Sequence, residues 1–447
     1  MDLAVRGGTV VTARRHERAD VGISGGKITA VGEVGKAKRD IDARGLLVLP
    51  GCIDLHTHLA STPTWTPLDG FETGSRAAIA GGVTTVVSMV YQEDGSLRRG
   101  VERALRDARP SIADYAFHVV VTDPSDGAMS ELPGLVADGH AGLKVFMVVK
   151  QFGERTSDFL RLYAAAKRNG MVVAVHAEDH RFIADATASL YAEGKTAVRY
   201  FPESRPVEAE VVAVRQAIAH AEITGATLYL VHLSSRWAVA ELAGAKRRGV
   251  TIFGETRPLY LYLTRQYFER DDAALWVGQP PLREYDDIDA IWAGLADRSL
   301  DTVATDHISR TRAQKMAPGL AFDKIPPGVS NLETLLPMLY SEGVRKKRIT
   351  VERLVDLLAT TPARIAGMSA KGEVAVGKDA DLVLFDPERT RTIRAADLHS
   401  AADYDPYEGW EVTGWPRVVL LRGTVAYDGA IRAAAGSGRF APRSPLA

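Results

Sequence analysis

At 447 residues the chain is too long for one small core and points to two or three domains, unless a long barrel forms. Its 55 basic and 56 acidic side chains leave a net charge of −1, with no basic stripe for nucleic acid and no charged tail. The single cysteine, Cys52, excludes an internal disulfide and a thiolate zinc cluster, and no apolar run reaches the ~20 residues that span a bilayer.

The first 48 residues read as short strands with tight turns. LAVRGGTVVT, ADVGISGGKITAVG and IDARGLLVLP carry β-branched runs broken by glycine pairs. The opening residues lack the basic-then-apolar order of a secretory signal, and the lone cysteine suits a reducing compartment, so a cytoplasmic protein is expected. Next comes LPGCIDLHTHL, where an apolar run stops at Pro50-Gly51 and is followed by His56 and His58. On a strand, residues i and i+2 point the same way, so both imidazoles leave one face.

The middle then alternates. Strands are predicted at 83–90, 115–122, 142–149, 171–178, 227–235, 250–255 and 302–309. Helices are predicted at 96–108, over SDFLRLYAAAKRNG, near 206–224 and over RWAVAELAGAKRRG. Near-continuous apolar strands alternating with helices imply an α/β protein with a parallel sheet covered by helices. About eight such units predict a closed (β/α)8 barrel of the TIM type over residues 51–369. The end of the chain, GEVAVGKDADLVLFDP and WPRVVLLRGTVAYDG, returns to the texture of the start. A small β-sandwich domain built from both termini, residues 1–50 plus 370–447, is therefore expected. The tail GSGRFAPRSPLA is expected to fray or to pack on a neighbouring subunit.

Several later strands end as the first one does. GLKVF carries Lys144, VVAVHAED carries His176, LYLVHLSS carries His232 and TVATDHIS carries Asp306. In a barrel such strand ends converge on one mouth. Each alone has an ordinary explanation: a turn for HTH, a structural histidine, an edge lysine, a helix-capping aspartate. Their conjunction does not. Imidazoles and a carboxylate are ligands for Zn²⁺ or similar ions. An ammonium among metals would be repelled and desolvated, so Lys144 is expected to be neutral. A neutral lysine amine can add carbon dioxide to give a carbamate, an anion with two oxygens able to bridge two ions. His118 is expected on the barrel floor and His307 behind Asp306. His16, His140, His180, His220 and His399 read as loop or helix surface.

PGCIDLHTHL, GLKVFM, VVAVHAED, LYLVHLSS and ATDHI, in that order, resemble the binuclear amidohydrolase superfamily, most nearly its cyclic amidase branch of dihydropyrimidinases, hydantoinases and allantoinases. The likeness extends through GFETGSRAAIAGGVTT, ETRPLYL, QPPLRE, TTPARIAGM, GKDADLVLFDP and EGWEVTGWP. It implies that His56, His58, Lys144 and Asp306 bind one divalent ion, and that Lys144, as N6-carboxylysine, shares a second with His176 and His232. The ions implied are Zn²⁺, with Mn²⁺ or Co²⁺ as alternatives, and CO₂ is needed for the lysine. A bridging hydroxide would attack the amide carbon, with Asp306 as general base and then acid. The implied substrate is a hydantoin, a dihydropyrimidine or a related ureide or imide. The implied assembly is a homodimer or homotetramer, without nucleic-acid or membrane partners. Allantoinase is the alternative activity; a non-catalytic scaffold is disfavoured because all six ligand positions are filled.

The departures bear on substrate. In dihydropyrimidinases and hydantoinases a tyrosine that holds the oxyanion lies five residues after the metal lysine; here that position is Val149. The residue before PPLR is Gln279 rather than serine, and the allantoinase-like ETCPHYL is ETRPLYL, with Arg257 and Leu259. The arginine by which dihydroorotases hold a carboxylate is replaced by Ala60. Asn331, in PPGVSNLET, is a candidate ring contact or a cap for the following helix.

Overall fold

A computed structural model describes residues 1–446. The chain opens with five strands, β1 (Leu3–Val11), β2 (His16–Ser24), β3 (Lys27–Gly32), β4 (Arg39–Asp42) and β5 (Leu47–Pro50). Eight more follow between helices: β6 (Cys52–Thr57), β7 (Val83–Tyr91), β8 (Asp114–Val120), β9 (Gly142–Phe146), β10 (Val172–His176), β11 (Thr227–Leu230), β12 (Ile252–Thr256) and β13 (Thr302–Val303). The last three are β14 (Leu382–Thr392), β15 (Glu411–Leu421) and β16 (Thr424–Tyr427).

β6 to β13 pair in sequence order, each parallel to the next. A parallel bridge between Thr57 and His307, with the His58 N–H donating to the His307 carbonyl at 3.0 Å, joins the two ends into a barrel. These strands are buried on both faces, which is why they read as unbroken apolar runs rather than alternating ones. The crossover helices begin and end on local signals. The Ser96 hydroxyl accepts from the Arg99 N–H at the start of helix Leu97–Asp107, and helix Val207–Thr224 stops at Gly225 in the left-handed region.

The remaining strands form a separate, mostly antiparallel sheet from both termini, ordered β16-β15-β14-β5-β1-β2-β3 with β4 on β1. The β2–β3 hairpin turns on Gly25 and Gly26, both at positive φ, as a two-residue turn of matching twist requires. Leu3, Val5, Val21, Ile23, Leu382 and Leu420 fill its core. The chain passes from sheet to barrel at Gly51, where a Cβ would stand 2.1 Å from Thr84 Oγ1.

Three expectations need correction. The tail neither frays nor leaves the subunit. Tyr115 N–H donates to the Arg439 carbonyl and Ala441 N–H to the Tyr115 carbonyl, so the tail runs beneath the N-terminal ends of β8 and β9. Arg443 is buried there, donating to the Phe117 and Ala366 carbonyls and lying 3.2 Å from Nδ1 of His118. His140 and His220 are not at the surface. His140 packs on Phe440 with ring centres 4.7 Å apart, and His220 meets Tyr163 edge-on. Asn331 does not cap helix Leu335–Leu339, whose N-terminal flanking residue is Thr334. Among the described residues no helix is long and apolar enough to cross a membrane.

Candidate metal centre

All six sequence-predicted ligands collect at the C-terminal ends of the barrel strands. His56 is the penultimate residue of β6, Lys144 lies within β9 and His176 ends β10. His58, His232 and Asp306 sit just beyond their strands. The backbone turns sharply at two of them: His232 has φ +43° and Asp306 +49°, left-handed conformations that L-residues adopt only when the surroundings enforce them. The predicted strands ran past these points because the apolar composition continues after the ladder has stopped.

Oδ1 of Asp306 lies 3.2 Å from Nε2 of His56 and 3.1 Å from Nε2 of His58. This group of three could hold a metal ion. The ring centres of His56 and His232 are 5.4 Å apart, and those of His232 and His176 are 4.5 Å apart. Lys144 Nζ is fully buried without a hydrogen-bond partner and lies 5.0 Å from the centre of the Phe146 ring. Burial lowers its pKa to about 8, against the smaller upward pull of Asp306 and Glu255. Burial also holds His56 and His232 neutral, far below the ordinary histidine value. For Asp306 the largest influence, burial, works upward; His56, Arg257 and His58 together overcome it and keep the carboxyl well below the usual range.

Carboxylates behind the rings fix which nitrogen faces inward. Nδ1 of His56 is 2.8 Å from Oε1 of Glu255, which leaves Nε2 for the centre. Nε2 of His176 is 2.7 Å from Glu178, which leaves Nδ1, and Arg205 holds Glu178 in turn. Burial pushes Glu255 up to about 8 although the Tyr229 hydroxyl donates to it. The sequence reading missed both glutamates, yet each had the signal that exposed Asp306: a carboxylate closing an apolar strand.

A cavity of about 210 Å³ opens over these groups, with Trp65, Tyr91, Arg257, Gln279 and Arg310 in its wall. Gln279 and Arg257 therefore both line the cavity. Arg257 Nη1 reaches Oδ2 of Asp306 at 3.1 Å. Asn331 is buried beside His307, whose Nδ1 accepts its backbone N–H, and is not part of the cavity wall. Val149 is 38% exposed on the connection after β9 and does not line the cavity either. Tyr91, one residue beyond the strand predicted at 83–90, does; its ring stacks on Phe146 at 6.1 Å. Burial, and then the Asp306 charge, raise its phenol pKa and keep it protonated.

Residues 47–426 match the model of the Amidohydrolase family. The chain belongs to the amidohydrolase family. Within it this amidohydrolase stands in the cyclic amidase branch. It is 40% identical to a D-hydantoinase of Ralstonia pickettii over 96% of this chain and 95% of that one. It is 34% identical to a D-phenylhydantoinase of Escherichia coli (strain K12 / DH10B) over 100% and 99%. The solved dihydropyrimidinase from Brevibacillus agri NCHU1002 superposes with a TM-score of 0.96 at 38% identity, covering all of both chains. The L-hydantoinase (dihydropyrimidinase) from Arthrobacter aurescens gives 0.91 at 28%, over 99% of this chain and 100% of that one.

Proposed function

We propose that this amidohydrolase opens a cyclic amide, a hydantoin, dihydropyrimidine or related ureide, with two divalent ions held by His56, His58, Lys144, His176, His232 and Asp306. The observation that carries this reading is the orphaned Lys144 amine. A buried lysine without partners is costly as an ammonium, and as a carbamate it becomes a second anion, beside Asp306, for a cluster of four histidines. When bound, the ions, Zn²⁺ or alternatively Mn²⁺ or Co²⁺, supply Lewis acidity that polarises the carbonyl and holds water as hydroxide at neutral pH.

The chain's own residues do the rest. Water adds across the ring C–N bond: oxygen joins the carbonyl carbon, the bond to nitrogen breaks, and a proton moves to that nitrogen. Asp306, ionised at neutral pH, accepts that proton and returns it to the leaving nitrogen. Arg257 fixes Oδ2 of Asp306 and so aims Oδ1 at His56 and His58. The protonated Tyr91 phenol is the donor suited to the developing oxyanion, in place of a tyrosine at Val149. The test is a panel of hydantoin, dihydrouracil, allantoin and a cyclic imide against enzyme loaded with each metal, following the ring-opened acid. Enzyme carrying two ions per chain that opens none of them refutes the proposal.

A further inference from the structure

The cavity wall carries more positive charge than its one carboxylate balances. Arg257 is fully buried, and its Nε and Nη2 have no partner. Arg310 lies with its guanidinium 4.4 Å from the centre of the Trp65 ring; its buried Nε is also unpartnered. No carboxylate among the described residues reaches Arg310 at ion-pair distance. Directly behind, Lys315 is fully buried and donates only to the carbonyls of Val277 and Gly328, both at 2.7 Å. Burial, and then the charges of Arg310 and Arg257, lower its pKa well below the ordinary lysine value, so the two guanidinium groups are the cations of this wall. Among the described residues the only acidic side chain in the wall is Asp306, already engaged by His56, His58 and Arg257.

Buried cations are rare without a counter-charge, and a guanidinium fork matches a carboxylate. Trp65, Arg310 and Gly328 stand on connections beyond the strand ends. An anion held there would project from the ring and would not be the carbonyl under attack. We infer that the ring opened by this amidohydrolase bears an anionic substituent, a carboxylate, which Arg310 binds with Arg257 in the same wall. The inference rests on the ring-opening reading above and adds the charge of the substituent to it.

Two hydantoins that differ mainly in charge test it: 5-(carboxymethyl)hydantoin and 5-(carbamoylmethyl)hydantoin. Metal-loaded enzyme is expected to favour the acid in kcat/KM by about tenfold or more, the scale of one charge-assisted hydrogen-bond pair. Arg310→Gln should bring that ratio towards one, and Arg310→Lys should restore part of it. Calorimetric titration with the two ring-opened N-carbamoyl amino acids gives a second readout. Both carry the new carboxylate, so only the extra one distinguishes them, and the diacid should bind more tightly by a similar factor. Wild-type enzyme that opens the amide as well as the acid, or binds the two products equally, overturns the anionic substituent and leaves ring opening intact. If neither hydantoin is opened, the panel of rings given above decides ring opening, and the calorimetric comparison alone decides the charge preference.

Discussion

A fully buried amine with no hydrogen-bond partner favours its neutral form, and Lys144 is placed that way near His56 and His232, whose rings burial also keeps neutral. If its carbamate joins two ions, Lys144→Ala should fall from two metals per chain towards one or none by elemental analysis. Turnover should drop about a thousandfold or more, as the loss of several kcal/mol of charge stabilisation requires. Short carboxylic acids added to that variant should restore part of both; full metal content and turnover without them would refute the bridge. Tyr91→Phe removes one hydroxyl and leaves the stacked ring. It should cost about 100-fold in kcat with KM changed only slightly, the signature of a donor used in the transition state. A rise in KM at unchanged kcat would reassign Tyr91 to substrate binding. The six residues proposed as ligands stood out because each interrupts or closes an apolar run of the sequence with a side chain that such a run has no reason to carry. Tyr91 did not, since an aromatic residue at a strand end is also what a buried strand wants. Arg310 was hidden in a loop whose path over the cavity no local pattern reveals.

At the scale of elements, the alternation of strands and helices came through because burial on both faces writes itself into composition. Ends were less legible. The stretch 142–149 reads as one strand, but the ladder stops at Phe146 and Val149 turns outwards. The tail was misread for a similar reason. Glycine, proline and serine suggest a frayed end, yet its backbone finds partners at Tyr115, Gly139 and Gly170 on the barrel floor. Arg443 anchors it without any carboxylate, and burial lowers its pKa to about 10. Arg443→Ala would leave the Phe117 and Ala366 carbonyls buried and unanswered. That should lower stability by about 2–3 kcal/mol, seen as a lower urea midpoint at unchanged slope. An unchanged midpoint would mean that the tail is an ornament on the floor and not part of the barrel's closure.

Two termini that share one texture imply a common domain, and the sheet contains strands from both; what no local pattern could give is the pairing of β5 with β14 across more than 300 residues. The same long-range closure concentrates charge where sheet meets barrel. Lys371 donates to Asp114 at the start of β8 and to Asp381 just before β14, at 2.8 and 2.6 Å. Arg422, in the β15–β16 turn, bonds to Asp114 as well. The largest influence on Lys371, burial, works to neutralise it, but Asp381 and Asp114 together outweigh that and raise its pKa. A raised folded-state value means that the stabilisation is complete below the ordinary lysine value of 10.5 and fades as pH climbs from there through the folded value. Lys371→Met would leave two buried carboxylates facing each other and should cost about 3–5 kcal/mol at neutral pH. Above pH 10.5 the wild-type chain progressively loses the same charge, so its advantage over the variant should shrink there while other alkaline effects act on both alike. Urea midpoints of the pair at a series of pH values read this directly: a gap that stays constant through the alkaline range would show that Lys371 holds the two parts together by packing alone.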